Sequence, residues 1–144
     1  MHTRNKQSGT SMIESLVALL ILSIGLLGLA MLQGNSLRVN TDAMVRSQAT
    51  LLAEEIIEGM RINTKGADAG LYVATSKPPV CTSCVDTTNG ARTANRDLIS
   101  WYEAQEKLLP SPTSYITRSG GIYTITMQWN ERGINVTQEW KVTI

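Results

Sequence analysis

Ser8-Gly9-Thr10-Ser11-Met12-Ile13-Glu14-Ser15-Leu16-Val17-Ala18-Leu19-Leu20 runs on through Ile21-Leu22-Ser23-Ile24-Gly25-Leu26-Leu27-Gly28-Leu29-Ala30-Met31-Leu32, and the fold turns on how this stretch is read. No charged residue falls between Glu14 and Arg38. A helix needs about 20 mainly apolar residues to cross a bilayer, and this run supplies them. Two features set it apart from a plain anchor. A carboxylate, Glu14, stands at the head of the apolar run, and a short basic leader ends in Gly9 just before it.

Flanking charge orients the segment. Arg4 and Lys6 precede it with no acidic residue before Glu14, whereas Arg38 is soon followed by Asp42. Positive charge marks the cytoplasmic side, so the leader is expected inside and the body outside the inner membrane. A secretory signal peptide is cut after its apolar region. Here the candidate break lies before it, so the apolar helix survives maturation.

The chain has 144 residues, enough for one small domain beside the membrane segment. A formal net charge of +1, with no basic stripe, gives no case for nucleic acid. The single histidine, His2, lies in the leader, which leaves the body without histidine for zinc or general-base chemistry. Phe is absent, so Trp101, Trp129, Trp140 and the tyrosines must supply the aromatic mass of the core. Glu54, Glu55 and Glu58, like Asp97, Glu103 and Glu106, are expected on solvated helix faces, and no catalytic, cofactor or metal constellation is evident.

Ser11-Met12-Ile13-Glu14 fits the S-x-x-E capping box, which starts a helix at Ser11. Gly25 and Gly28 either let another helix approach closely or are simply tolerated in the bilayer. Helical spacing then continues through Val45, Ala49, Leu52, Ile56 and Met60, with Leu51, Ala53 and Ile57 widening the stripe. One helix to about Arg61 is expected, apolar all round in its first half and one-sided in its second. Residues 63–96 are rich in turn formers and show no strong element beyond a short extended piece at Leu71-Tyr72-Val73. A second helix is expected from Asp97 as N-cap to Leu109, stopped by Pro110.

The last third alternates as strands. Tyr115–Thr117 is short; Tyr123, Ile125, Met127 and Trp129 share one face of the next strand. After a turn at 130–133, Ile134, Val136, Trp140, Val142 and Ile144 share the inner face of the last. Trp129 and Trp140 are expected in the core, with ligand contact as the other reading. A small antiparallel sheet of about three to four strands needs a cover, and the amphipathic half of the long helix provides one. The fold class is α+β.

Gly9, Thr10 and Glu14, set between a basic leader and an apolar run, resemble the type IV pilin signature. The string from Met12 to Ala30 resembles the PilV group of minor pilins, as does Asp97-Leu98…Trp101…Leu108-Leu109-Pro110. Thr10 stands where the family usually has Phe. Met31 stands where major pilins usually carry proline, which points to a minor subunit. The resemblance implies a type IV pilin-like fold, cleavage by a prepilin peptidase between Gly9 and Thr10, and N-methylation of Thr10. It divides the chain into a leader (1–9), a transmembrane and assembly half-helix (10–37), and a periplasmic head (38–144). It also implies a role for Glu14 in fibre assembly, beside the capping role read from its spacing. The partners it implies are other minor pilins, the major pilin, the inner-membrane assembly machinery and a tip adhesin. The chain would rest in the inner membrane before assembly and in the pilus fibre or tip afterwards.

Cys81 and Cys84 allow three readings. In an exported domain a disulfide is the plain one, and so short a loop stabilises little. Free or intermolecular thiols and a redox or metal centre are the others. The competing functions are a pseudopilin of a type II secretion system and, from another class, a membrane-anchored periplasmic thiol oxidoreductase.

Overall fold

The computed structural model describes residues 10–81 and 90–144. The chain forms two compact units that meet between Thr41 and Asp42. Helix α1 (Thr10–Ile62) supplies the whole described part of the first unit. There every large apolar side chain from Met12 to Val39 is between 51% and 77% exposed, as on a lone helix. Two hydroxyls bond to the helix backbone instead. Ser23 Oγ donates to the Leu19 carbonyl at 2.7 Å and Thr41 Oγ1 to the Leu37 carbonyl at 3.0 Å. Such bonds let a hydroxyl sit in an apolar medium without an unpaired donor.

The second unit combines the rest of α1 with α2 (Thr64–Asp68), α3 (Ala91–Leu108) and a sheet of β1 (Thr113–Ser119), β2 (Ile122–Glu131) and β3 (Ile134–Thr143). The strands lie in the order β1-β2-β3, all antiparallel. Both hairpins close on two residues with positive φ, Gly120-Gly121 (57° and 83°) and Arg132-Gly133 (55° and 85°). That geometry matches the twist of the flanking strands. Asn130 Oδ1 secures the second turn by accepting from the Gly133 amide at 2.7 Å.

Ala49, Leu52, Ala53, Ile56 and Met60 of α1 are buried with Ala94, Leu98 and Trp101 of α3, together with Ile116, Tyr123, Ile125, Met127 and Trp129 of the sheet. This is the expected α+β arrangement: an amphipathic helix segment over one face of a three-stranded sheet. The buried rings are tied by their polar ends. Trp101 Nε1 donates to the Leu52 carbonyl at 2.9 Å, Tyr102 OH to the Ser114 carbonyl at 3.1 Å, and Tyr123 OH to the Ala67 carbonyl at 2.5 Å. In a core without Phe, each large ring brings a donor that must be paired.

Several expectations need correction. Helix α1 begins at Thr10, and the side chain of Ser11, on which the capping-box reading rests, lies outside the described residues. Leu51 is 62% exposed and does not widen the buried stripe, since it points away from the face carried by Leu52 and Ile56. The region after Ile62 holds a real element, α2, capped by Asn63. No strand forms at residues 71–73; the only extended pairing near them is a bridge from Ala74 to Ile116. Helix α3 starts at Ala91, not after Asp97, and its N-cap is Gly90 with φ 67°. A Cβ there would come within 1.9 Å of Asn63 Oδ1, so the capping position needs glycine for space as well as for conformation. On β3, Val136, Trp140 and Val142 are only half-buried, as is Ile144 just beyond it, and Ile134 is exposed. The helices cover β1 and β2 more fully than this edge.

Candidate functional site

In the first unit, the helix itself is the candidate site. Thr10 is its first residue, and Glu14 follows one turn later. Glu14 is exposed, as are Met12, Ile13 and Leu16 around it. Gly9 lies outside the described residues. Gly25, Gly28 and Gly34 have no described atom within 4 Å of the position a Cβ would take. The helix therefore presents an uncovered apolar surface, with its one carboxylate near the start. Chemically it can be covered by lipid or by other helices, and by little else.

In the second unit, charged groups gather at the start of its share of α1. Glu131, at the end of β2, accepts from Arg46 Nε at 3.1 Å and Arg46 Nη2 at 3.0 Å, and from Trp129 Nε1 at 2.8 Å. Its neighbour Arg132 pairs with Asp42. The β2–β3 turn is thus fastened to α1 by two ion pairs four residues apart on the helix. The Arg46 guanidinium holds the Glu131 carboxyl below the usual carboxylate range, against a smaller opposing effect of burial, and Glu131 in turn raises the Arg46 pKa. The Glu131 side chain is only 9% exposed and Arg46 is 58% exposed, so the fork is half in solvent.

A second polar cluster joins the far end of α1 to α2 and α3. Tyr72 OH lies 2.7 Å from Asp97 Oδ2 and 3.1 Å from the Gly59 carbonyl, and it accepts from Asn63 Nδ2 at 3.3 Å. Asn63 Nδ2 also donates to the Gly90 carbonyl at 2.9 Å. Burial first, and then the bond to Asp97, push the Tyr72 pKa well above the ordinary tyrosine value. Asp97, expected on a solvated face, instead anchors this buried phenol. Glu54, Glu55 and Glu58 are exposed, as expected.

Sequence reasoning missed both clusters. Arg46–Glu131 spans 85 residues and Asp42–Arg132 spans 90, and no local spacing announces such a pair. Of the two cysteines, Cys84 lies outside the described residues. Cys81 is held through its backbone amide, which donates to Asn95 Oδ1 of α3 at 2.8 Å. Among the described residues, no group of three His, Cys, Asp or Glu side chains is placed to hold a metal ion.

The family model described as the prokaryotic N-terminal methylation motif matches residues 4–30. The chain carries a type IV pilin-like prepilin signature. That match takes in Gly9, Thr10, Glu14 and most of the apolar run. No curated protein and no solved structure matched the chain. The prepilin signature and the long exposed apolar helix together describe a membrane-anchored, pilin-like structural subunit, with an α+β architecture consistent with the type IV pilin-like fold. It implies, in general terms, handling by a prepilin peptidase and assembly with other pilus components.

Proposed function

We propose that this chain is a minor pilin of a type IV pilus, a structural subunit of a priming or tip complex that promotes fibre assembly, with adhesin presentation as a further role. Residues 1–9 are the leader and stay cytoplasmic. Prepilin peptidase cuts between Gly9 and Thr10, and the new amine at Thr10 is methylated. Residues 10–37 first hold the chain in the inner membrane, with residues 38–144 as the periplasmic head, and then pass into the fibre.

One observation carries this reading. The methylation motif over residues 4–30 runs into the part of α1 where every large apolar side chain from Met12 to Val39 is uncovered. A helix that is apolar on every side gains nothing from its choice between lipid and neighbouring helices, so it can be moved from one to the other at small cost. Glu14 biases the choice. A carboxylate costs about 2.5–3.5 kcal/mol at the centre of a bilayer and less near the end of a span, where Glu14 stands, and such groups are usually paired. Before cleavage the nitrogen of Thr10 is a neutral amide. Afterwards it is a cation, and the Thr10 amine of an adjacent subunit can pair with Glu14. The cut thus creates the charge partner that rewards assembly. Cys81 and Cys84 close a disulfide in the exported head, and titration of two free thiols in the periplasmic protein would contradict that part.

Mass spectrometry of the mature N-terminus tests the processing. The expected product begins with methylated Thr10, and an intact leader in a strain with active prepilin peptidase overturns the proposal. Glu14→Val is expected to insert into the membrane normally yet drop out of sheared pili. Its normal recovery in pili would remove the pairing argument.

A further inference from the structure

Strand β3 is the last in the order β1-β2-β3, so one of its edges has no neighbouring strand. We propose that this edge pairs with the same edge of a second copy of the chain, antiparallel and centred on Trp140. The contact does not rest on the pilin reading.

The backbone sets the first condition. The β2–β3 turn has two residues, Arg132 and Gly133, and such a turn closes on a hydrogen-bonded pair, here Glu131 and Ile134. Bonded and non-bonded pairs then alternate along an antiparallel ladder. Thr137, Glu139, Lys141 and Thr143 therefore turn their backbone N–H and C=O groups away from β2. No backbone group among the described residues meets them there. Such a row is a template for another strand. The opposite edge of the sheet differs, because Ala74 already bridges β1 at Ile116.

Charge selects the occupant. Glu139 and Lys141 are both exposed and lie on the face of β3 turned from the core. Within the sheet they oppose Thr126 and Thr124, and neither joins an ion pair among the described residues. A two-fold axis through Trp140 sets Glu139 of each copy against Lys141 of the other, and Thr137 against Thr143. All four carry outward backbone groups, so the ladder and the charges agree on one register. The smallest slip that keeps outward groups opposed is two residues. It sets Glu139 against Glu139 in one direction and Lys141 against Lys141 in the other. Opposite charges across strands stabilise a pair and like charges destabilise it. On the core side, the half-buried Trp140 rings meet at the axis. This edge is thus complementary to itself, as a closed dimer requires. The axis is normal to the sheet and reverses the segment of α1 lying along it. The two chains then enter their heads at opposite ends, which suits copies facing each other more than neighbours side by side in one membrane.

The test is sedimentation of the full-length chain in phosphocholine micelles over a dilution series. The unaltered chain is expected to form a reversible dimer. Glu139→Lys alone and Lys141→Glu alone each turn two favourable pairs into two unfavourable ones, and each is expected to weaken the dimer by about tenfold with an unchanged thermal melt. Glu139→Lys and Lys141→Glu together in one chain exchange the charges, keep the net charge and are expected to restore it. A dimer held by the apolar helices would ignore all three variants. A chain that stays monomeric, a dimer indifferent to the single variants, or no recovery in the exchanged chain overturns the proposal.

Discussion

Residues 12–41 and residues 42–62 belong to one helix and satisfy opposite demands. In the first stretch apolar side chains occupy every face and all the large ones are exposed; in the second, Ala49, Leu52, Ala53, Ile56 and Met60 are buried while Glu54, Glu55 and Glu58 face water. The backbone is the same, and only the source of the apolar partner differs. The second stretch has its partner covalently attached, as α3 and the sheet. The first has none among the described residues. A stretch with an attached partner is fixed in place, and a stretch without one can exchange lipid for protein.

The contrast can be broken most severely at Trp101. Trp101→Ala removes a fully buried ring and its bond to the Leu52 carbonyl, and is expected to destabilise the second unit by about 3–5 kcal/mol. Membrane association, read by carbonate extraction, should be unaffected because it depends on the other stretch. Loss of both together would mean that the two are not independent. The reverse variant, Ile24→Asp, puts a charge where none belongs and is expected to cost about 2.5–3.5 kcal/mol of membrane insertion. The thermal melt of the second unit should stay in place.

The smallest expected effect concerns Glu131. Its pKa is lowered in the folded state, so its stabilising contribution is fully present above the unfolded carboxylate range, about pH 4.3, and is lost as pH falls through the lower folded value. Arg46 is largely exposed, and screening keeps the contribution small. Glu131→Gln is expected to lower the melting temperature slightly at neutral pH, with the gap to the unaltered chain closing in acid and narrowing in high salt. A gap that does not change with pH would mean that the ion pair contributes nothing.

The parts of this fold that could be read in advance were those written in short periods. Spacing of three and four exposed the stripe from Ala49 to Met60, and alternation exposed Tyr123, Ile125, Met127 and Trp129 as one buried face. The start of α3 could not be read that way. Arg92, Thr93, Ala94 and Asn95 look like loop residues beside the turn formers before them, and the helix begins there because Gly90 can take a left-handed turn against Asn63, 27 residues away. Asp97 looked like a cap because local chemistry allows it, but a tyrosine from the preceding loop had claimed its oxygen. At the candidate site, Gly9, Thr10 and Glu14 were legible because cleavage and pairing are tied to spacing along the chain.

The two indole bonds in the second unit make it self-reporting. Trp101 Nε1 is bonded to a carbonyl within the helix layer, and Trp129 Nε1 to a carboxylate at the tip of a hairpin. Their two N–H resonances sit at opposite sorts of boundary, one sealed and one beside a titrating group. On exchange into heavy water, the Trp101 proton should persist until the core opens as a whole, whereas the Trp129 proton should follow any fraying of the hairpin. A single spectrum can then tell local loosening from global unfolding without an added label.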